Sequence, residues 1–279
     1  MNPSAISLII STYNWPEALA KVFRAVRQQS AMPGEILVAD DGSGASTRRV
    51  IEEWQSRLNV PVHHLWQEDL GFRKTTILNR ALAVAAGDYI VFLDGDCVPH
   101  PRFIEDHAAL AEPGCWVQGR RCFVKEPWVA PFEMAGAHPL VWVARRRISS
   151  GWKAFRFPFP IMRRDLQQRG ILGCNMSFWR DDLLLVNGFD EEYFGWGIGE
   201  DSDLGTRLYH LGRTRKFVYG RAVIYHLNHS SLSKDHLPES LARLQATIES
   251  GKIRCERGVD HYLQPAPARP KAVPSRLLA

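Results

Sequence analysis

Through its first hundred residues the chain alternates short apolar runs with amphipathic stretches, and the apolar runs end in polar, mostly acidic clusters. Ile6–Thr12 is too short for a helix and reads as a buried strand. Pro16 opens a helical pattern to about Gln29, with proline in the favoured first turn. Glu35–Asp40 is a second strand, followed by the turn Asp41-Gly42-Ser43-Gly44 and a helix to about Leu58. Val62–Trp66 is a weaker strand. Residues 74–86 put Ile77, Leu78, Ala81, Leu82 and Ala85 on one helical face, with Gly87 as its C-cap. Residues 89–93 form the clearest strand and run into Asp94-Gly95-Asp96. Such alternation predicts an α/β fold, a mostly parallel sheet flanked by helices, whose ligands bind at the carboxyl ends of the strands. Three polar clusters at three strand ends then make one site.

The alternation breaks after about residue 112. Residues 116–124 read as a strand, 127–147 as an irregular helix and 149–164 as a long loop. Residues 173–179 form a strand. Residues 201–211 form a helix with Leu204, Leu208 and Leu211 on one face. Short strands at 216–218 and 222–225 precede a helix at 238–250. From Gln264 onward Pro265, Pro267, Pro270 and Pro274 predict an extended or disordered tail. The pattern divides the chain into a first half, 1–112, a second half of the same domain, 113–236, and a helix with a Pro-rich tail, 237–279.

Composition narrows the class. Hydrophobic residues make up 45% and charged residues 23% of the 279, which excludes wholesale disorder. No apolar run approaches the ~18–20 residues that span a bilayer. The first residues lack the basic and apolar regions of a secretory signal. Five cysteines (Cys97, Cys115, Cys122, Cys174, Cys255) without a C-x-x-C pair argue against a disulfide framework or zinc knuckle and fit a reducing cytoplasm. Net charge is +5, yet Lys125 to Arg164 alone holds eight Lys/Arg against two Glu, interleaved with Trp128, Trp142, Trp152 and Phe159. A basic, aromatic stretch suits an anionic partner: nucleic acid, a membrane surface or a phosphorylated glycolipid.

In Asp94-Gly95-Asp96, positions i and i+2 of an extended segment face the same way, so two carboxylates form a hard-oxygen site for Mg²⁺ or Mn²⁺ holding a diphosphate. The plainer alternative, a solvated turn, is weakened by its place directly after a buried strand. Asp41 is placed to accept from the N–H of a nucleotide base. Residues 194–203, Phe-Gly-Trp-Gly-Ile-Gly-Glu-Asp-Ser-Asp, put Trp196 among glycines, a stacking surface for a sugar ring. They end in Glu200 and Asp201 at a helix start. Acidic residues there satisfy the helix dipole, and one is also a candidate general base. His226 closes a strand in Tyr225-His226-Leu227-Asn228-His229, and a neutral imidazole can complete the metal site.

Taken in order, S-T-Y-N (11–14), D-D-G-S (40–43), L-G-F-R-K…L-N-R-A (70–81), G-D-Y-I-V-F-L-D-G-D (87–96), G-C-N-M-S-F (173–178), G-F-D-E (188–191) and G-W-G-I-G-E-D-S-D-L (195–204) resemble an inverting glycosyltransferase of family 2. The last three resemble a segment shared by chondroitin polymerases and β-1,4-galactosyltransferases. The resemblance implies the GT-A fold, a Rossmann-like mixed sheet that binds a nucleotide-diphosphate sugar. It implies Mn²⁺ or Mg²⁺ on the diphosphate and attack by an acceptor hydroxyl of a saccharide or glycolipid. Residue by residue it assigns Thr12, Asn14, Asp41, Arg73, Lys74, Asp94 and Gly95 to the donor. Asn175, Trp196 and Glu200 go to the acceptor and Asp201 to the general base. Asp96 with His226, or with His229 instead, goes to the metal. The family segment often reads W-G-G-E-D, and Ile198 here stands between the glycines, which shifts Trp196 relative to Asp201.

Two other readings compete. A metal-dependent sugar nucleotidyltransferase would also hold a diphosphate, but its first loop is normally Gly-rich, whereas Ser11-Thr12-Tyr13-Asn14-Trp15-Pro16 has no glycine. A non-enzymatic binder would use the basic stretch on an anionic surface. The glycosyltransferase reading expects no nucleic acid, a cell-surface glycan such as lipopolysaccharide as the product, and peripheral contact with the inner face of an anionic membrane.

Overall fold

The computed structural model describes residues 1–133, 139–149, 151–165, 171–195, 199–230 and 236–263. The first half runs β1 (Ile6–Thr12), α1 (Pro16–Arg27), β2 (Glu35–Asp40), α2 (Ala45–Gln55), β3 (Val62–Trp66), α3 (Lys74–Val84), β4 (Tyr89–Asp94), β5 (Cys97–Pro99) and α4 (Phe103–Leu110). The second runs β6 (Cys115–Gln118), β7 (Arg121–Val124), α5 (Pro139–Ala144), β8 (Ile148–Ser149), β9 (Ile161–Asp165), β10 (Asn175–Trp179), α6 (Arg180–Leu185), α7 (Glu200–His210), β11 (Thr214–Tyr219) and β12 (Ile224–Leu227). The last helix is α8 (Leu237–Ser250).

One eight-stranded sheet, ordered β3-β2-β1-β4-β10-β6-β11-β9, crosses both halves. Strands β3, β2, β1 and β4 are mutually parallel. Strand β10 is antiparallel to both β4 and β6, and β11 lies parallel to β6, so β4, β6 and β11 end on the same side. A second sheet, β5-β12-β7-β8, stands beside that end.

Alternation along β1 explains the layering. Ile6, Leu8 and Ile10 enter a core shared with Leu19, Phe23 and Ile51 of α1 and α2. Ile9 enters the opposite core, with Ile77 and Leu82 of α3 and Leu204 and Leu208 of α7. Each such side chain contributes about 1.5–3 kcal/mol by leaving water, and burial on both faces is why these strands read as unbroken apolar runs.

The second half departs from the sequence expectations. Residues 116–124 form two strands, because the chain turns at Gly119-Arg120 and carries β7 into the other sheet. In the span 127–147 the described residues hold a 3-10 turn at Glu126–Trp128 and only the six-residue α5. The expected loop at 149–164 contains a second 3-10 turn, Gly151–Ala154, and the edge strand β9. Exposed Ile161, Met162 and Arg163 give β9 no alternating signature. Helix α3 caps at Ala85 rather than Gly87. Gly87 is needed instead because a Cβ there would sit 2.7 Å from the Ala5 carbonyl oxygen. The Pro-rich tail from Gln264 lies outside the described residues.

Candidate active site

The ends of β1, β2 and β4 open into a cleft of about 650 Å³, lined by Thr12, Asp41, Lys74, Asp94, Gly95, Asp96, Arg121, His226 and His229 among others. At its β2 side Asp41 is buried. Its Oδ1 accepts from Gln67 Nε2 at 2.6 Å and its Oδ2 from the Arg73 backbone N–H at 2.8 Å. Burial raises the Asp41 carboxyl pKa, and these two hydrogen bonds oppose the rise. Tyr13 stands half exposed at the rim, its hydroxyl donating to Asp69 at 2.9 Å.

On β4, Asp94 Oδ1 accepts from Ser11 Oγ at 2.7 Å and from Lys74 Nζ at 2.6 Å. Between the two aspartates only glycine fits. A Cβ on Gly95 would lie 2.8 Å from the Ser11 carbonyl oxygen, which the Gly95 N–H already meets at 2.7 Å.

Asp96 faces two imidazoles, not one. Its Oδ2 lies 3.1 Å from His229 Nε2 and 3.4 Å from His226 Nε2, and one ligand atom from each of the three residues falls within 4.8 Å of the others. His226 arrives on β12, registered against Cys97 of β5. His229 follows the strand end and is fixed by its Nδ1 contact with the Ser230 carbonyl at 2.8 Å, which leaves Nε2 for the cluster. Burial pushes the Asp96 carboxyl up, but the His229 hydrogen bond and the His226 charge outweigh it and hold it below the usual carboxylate range. Burial lowers the His226 imidazole, against the pull of Asp96. The His229 imidazole is raised by its hydrogen bond to Asp96. A carboxylate held ionised beside an imidazole held neutral is a donor set suited to a divalent cation.

Glu200 and Asp201 open α7, whose N-cap is Gly199 at φ 136°. Asp201 Oδ2 accepts from the Gly173 N–H at 2.9 Å and its Oδ1 from the Ser202 N–H at 2.6 Å. Burial raises the Asp201 carboxyl; the Gly173 and Ser202 N–H groups oppose the rise. Burial and then the Asp201 charge push Glu200 up to about 7, with Lys74 pulling the other way. Lys74 is the bridge. Burial would lower its ammonium, yet Asp94 and Glu200 together hold it above the usual lysine range. Asp41, Asp94 and Asp96 line the cleft, and Lys74 joins that wall to the start of α7, hydrogen-bonding Asp94 and feeling the charges of Glu200 and Asp201.

The profile described as glycosyl transferase family 2 matches residues 7–180, and one described as the N-terminal domain of galactosyltransferase matches residues 153–230. The chain belongs to glycosyltransferase family 2. It is 30% identical over 223 residues to validoxylamine A glucosyltransferase of Streptomyces hygroscopicus subsp. limoneus, covering 74% of this chain and 48% of that protein. It is 27% identical to chondroitin synthase of Escherichia coli, covering 79% of this chain and 34% of that one. The chain thus spans half or less of the length of these relatives. Among solved structures, S. aureus TarS 1–349 in complex with UDP-GlcNAc superposes with a TM-score of 0.64 at 18% identity, over 94% of this chain and 69% of that one. The Pyrobaculum calidifontis mannosyltransferase PcManGT, in complex with GDP-Man and Mn²⁺, gives 0.59 at 17% identity, over 90% and 65%. The fold is GT-A.

Within this family-2 chain, three expected site residues have other work. Asn175 is fully buried. Its Nδ2 donates to the carbonyls of Arg120 and Ala222, and its Oδ1 meets His107 Nε2, so no atom is left for an acceptor. Asn14 ties two loops together, its Oδ1 accepting from the Gly44 N–H and its own N–H donating to Ser43 Oγ, both at 2.9 Å. Arg73 contributes its backbone N–H to Asp41, while its guanidinium donates to the Glu68 carbonyl. Trp196 lies outside the described residues. Four residues of the site carried no assignment in the sequence: Ser11, Tyr13, Gln67 and Arg121. The first two sit inside S-T-Y-N, so strand-end position could have found them. Gln67 follows a weak strand and Arg121 belongs to a strand that the sequence pattern merged with another, so neither had a signal.

Proposed function

We propose that the chain transfers a sugar, with inversion, from a nucleotide-diphosphate donor to a hydroxyl of a saccharide acceptor. The observation that carries this reading is that Lys74, in the cleft with Asp94 and Asp96 and hydrogen-bonded to Asp94, also feels the charges of Glu200 and Asp201 from the start of α7.

Asp41, held by Gln67 and the Arg73 N–H, offers carboxylate lone pairs to the N–H of the nucleotide base, with Thr12 beside it. Asp94, fixed by Ser11 and Lys74, faces the ribose and diphosphate. Asp96, His226 and His229 would hold the cation, with His229 acting beside His226 rather than in its place. Two imidazoles with one carboxylate favour Mn²⁺ over Mg²⁺, which prefers oxygen ligands. A bound cation supplies positive charge to the leaving diphosphate. Arg121 lines the same cleft and adds a guanidinium that needs no proton bookkeeping. Across from the diphosphate, Asp201 takes the proton of the acceptor hydroxyl as it attacks the anomeric carbon. Burial raises the Asp201 pKa, which makes the carboxylate a stronger base than a solvated one. Glu200 orients the acceptor, and Trp196 is the stacking candidate.

The names of the relatives, a glucosyltransferase and a chondroitin synthase, support a glycan acceptor, and we place it among cell-surface glycans such as lipopolysaccharide, met at the inner face of an anionic membrane. Among the described residues no helix is long and apolar enough to cross a membrane.

The test is incubation with Mn²⁺ and a panel of nucleotide sugars, following release of nucleoside diphosphate. Release that depends on one donor and on the metal is expected. Pyrophosphate release from a nucleoside triphosphate plus a sugar phosphate would instead establish the nucleotidyltransferase.

A further inference from the structure

The turn after β6 sends two neighbouring arginines to different places. Arg121 lines the donor cleft, while Arg120 lies over two rings of β11, 4.9 Å from the Phe217 centroid and 5.4 Å from that of Tyr219. Tyr219 in turn stacks on Trp152 at 4.9 Å and 25°. Trp152 is 52% exposed, and Lys153 Nζ lies 5.9 Å from its ring.

The charges here are unbalanced. Neighbouring cations have acidic partners: Arg156 and Arg221 on Asp106, Arg215 on Asp165, Lys216 on Glu112. Among the described residues Arg120 and Lys153 have no carboxylate partner, and Arg120 Nε is buried without a hydrogen bond. Burial and then the charge of Arg120 lower the Lys153 ammonium pKa, with Cys122 pulling the other way. Both cations lie over ring faces with no carboxylate to meet them, which leaves a positive field open to an anion.

The location points to the acceptor. Strands β4, β6 and β11 end on one side of the sheet, so Tyr219 stands at the same end as Asp94. Arg215, Phe217 and Tyr219 are two residues apart on β11 and face the same way; Arg215 lies over Trp116 at 5.9 Å, and Trp116 packs with Leu204 and Leu208 of α7. The cluster therefore shares a sheet face with the helix whose first turn bears Glu200 and Asp201.

We propose that Arg120 and Lys153 form a subsite for an oxyanion, a phosphate monoester or a uronate carboxylate, carried by the saccharide acceptor, with a sugar ring of that acceptor on Trp152. This rests on the glycosyltransferase reading for its word acceptor. The oxyanion takes charge-assisted hydrogen bonds from both cations, and the indole face takes the apolar face of the ring.

Calorimetric titration of the full chain, loaded with Mn²⁺ and a nucleoside diphosphate, tests it without turnover. The probes are a hyaluronan tetrasaccharide, a 6-phosphorylated mannose oligosaccharide, neutral maltotetraose and inorganic phosphate. One anionic oligosaccharide should bind about tenfold tighter than maltotetraose, as one charge-assisted contact allows. Which one names the oxyanion. Arg120→Gln with Lys153→Gln should erase that gap, whereas Arg120→Lys with Lys153→Arg should keep most of it, which separates lost charge from lost folding. Trp152→Ala should weaken charged and neutral oligosaccharides alike. Equal binding of charged and neutral probes, or a gap that survives the double Gln variant, overturns the proposal. So does inorganic phosphate binding as tightly as the oligosaccharide. Cosedimentation with phosphatidylglycerol vesicles that alone responds to the double Gln variant would assign the cluster to a membrane instead. Failure of nucleoside diphosphate release in the wild-type chain would defeat the glycosyltransferase reading and leave this titration interpretable.

Discussion

In the parallel half of the sheet, Thr12, Asp41 and Asp94 stand on or directly after strand ends, and the two aspartates are fixed by neighbours from the same half: Ser11, Gln67, Arg73 and Lys74. In the antiparallel half, Asp201 is held by the N–H of Gly173, 28 residues away, and His226 arrives on a strand of the other sheet with His229 just past its end. Even the second-half motifs are tied back to the first. Asn79 of α3 donates to the Phe189 carbonyl and to Glu191, so L-N-R-A and G-F-D-E are two sides of one contact. The difference teaches that the parallel half is held by local contacts, which suits the donor cradle proposed for it, while the groups proposed to react in the other half take positions that depend on long-range packing.

That contrast is open to attack. The largest expected effect is in the second half: Asp201→Asn should lower turnover about 10²–10⁴-fold, as loss of a general base does, with donor affinity kept. Near wild-type turnover would show that the base lies elsewhere. Next are the metal imidazoles. His226→Ala and His229→Ala should each weaken Mn²⁺ about 10–100-fold, a drop comparable to that measured when a group tuning a metal site is removed. A Mn²⁺ titration unchanged in either variant removes that histidine from the set.

The pH profile probes the reactive half without a substitution. Burial and the Asp201 charge raise Glu200 to about 7, so turnover should climb as pH rises through about 7, where Glu200 loses its proton and can accept a hydrogen bond from the acceptor; burial raises Asp201 above the usual carboxylate range as well. Glu200 binds its proton more tightly folded than unfolded, so its contribution to stability is full below the ordinary value of 4.5 and is lost as pH rises to about 7. Turnover that is flat across that range contradicts the assignment of Glu200 to the acceptor. The smallest effect belongs to the donor cradle: Gln67→Ala should raise the donor KM several-fold with little change in kcat, since it removes one hydrogen bond to Asp41, worth about 0.5–1.5 kcal/mol. A large fall in kcat there would erase the distinction between the halves.

Packing separates the halves as well. Asp203 and Arg207 form a fully buried pair on α7, 2.7 Å apart, and Thr247 of α8 donates to Asp203 at 2.8 Å. Removing one partner of such a pair costs about 3–5 kcal/mol. Asp203→Ala should therefore lower Tm and loosen the helix that presents Glu200 and Asp201, as a melting curve would report.

Amino-acid order alone determined the parallel core, because strands buried on both faces are written as continuous apolar runs that any reader of periodicity meets. It also determined Asp41, Asp94 and Asp96, since a carboxylate directly after such a run has one place to be. Tertiary structure decided the rest. It put His226 and His229 on the same carboxylate, took Asn175 and the Arg73 guanidinium out of the cleft, made a strand of 161–165, and set Arg120 over β11. Those outcomes depend on contacts between segments tens of residues apart, and a local pattern of side chains carries no record of which distant backbone will stand opposite.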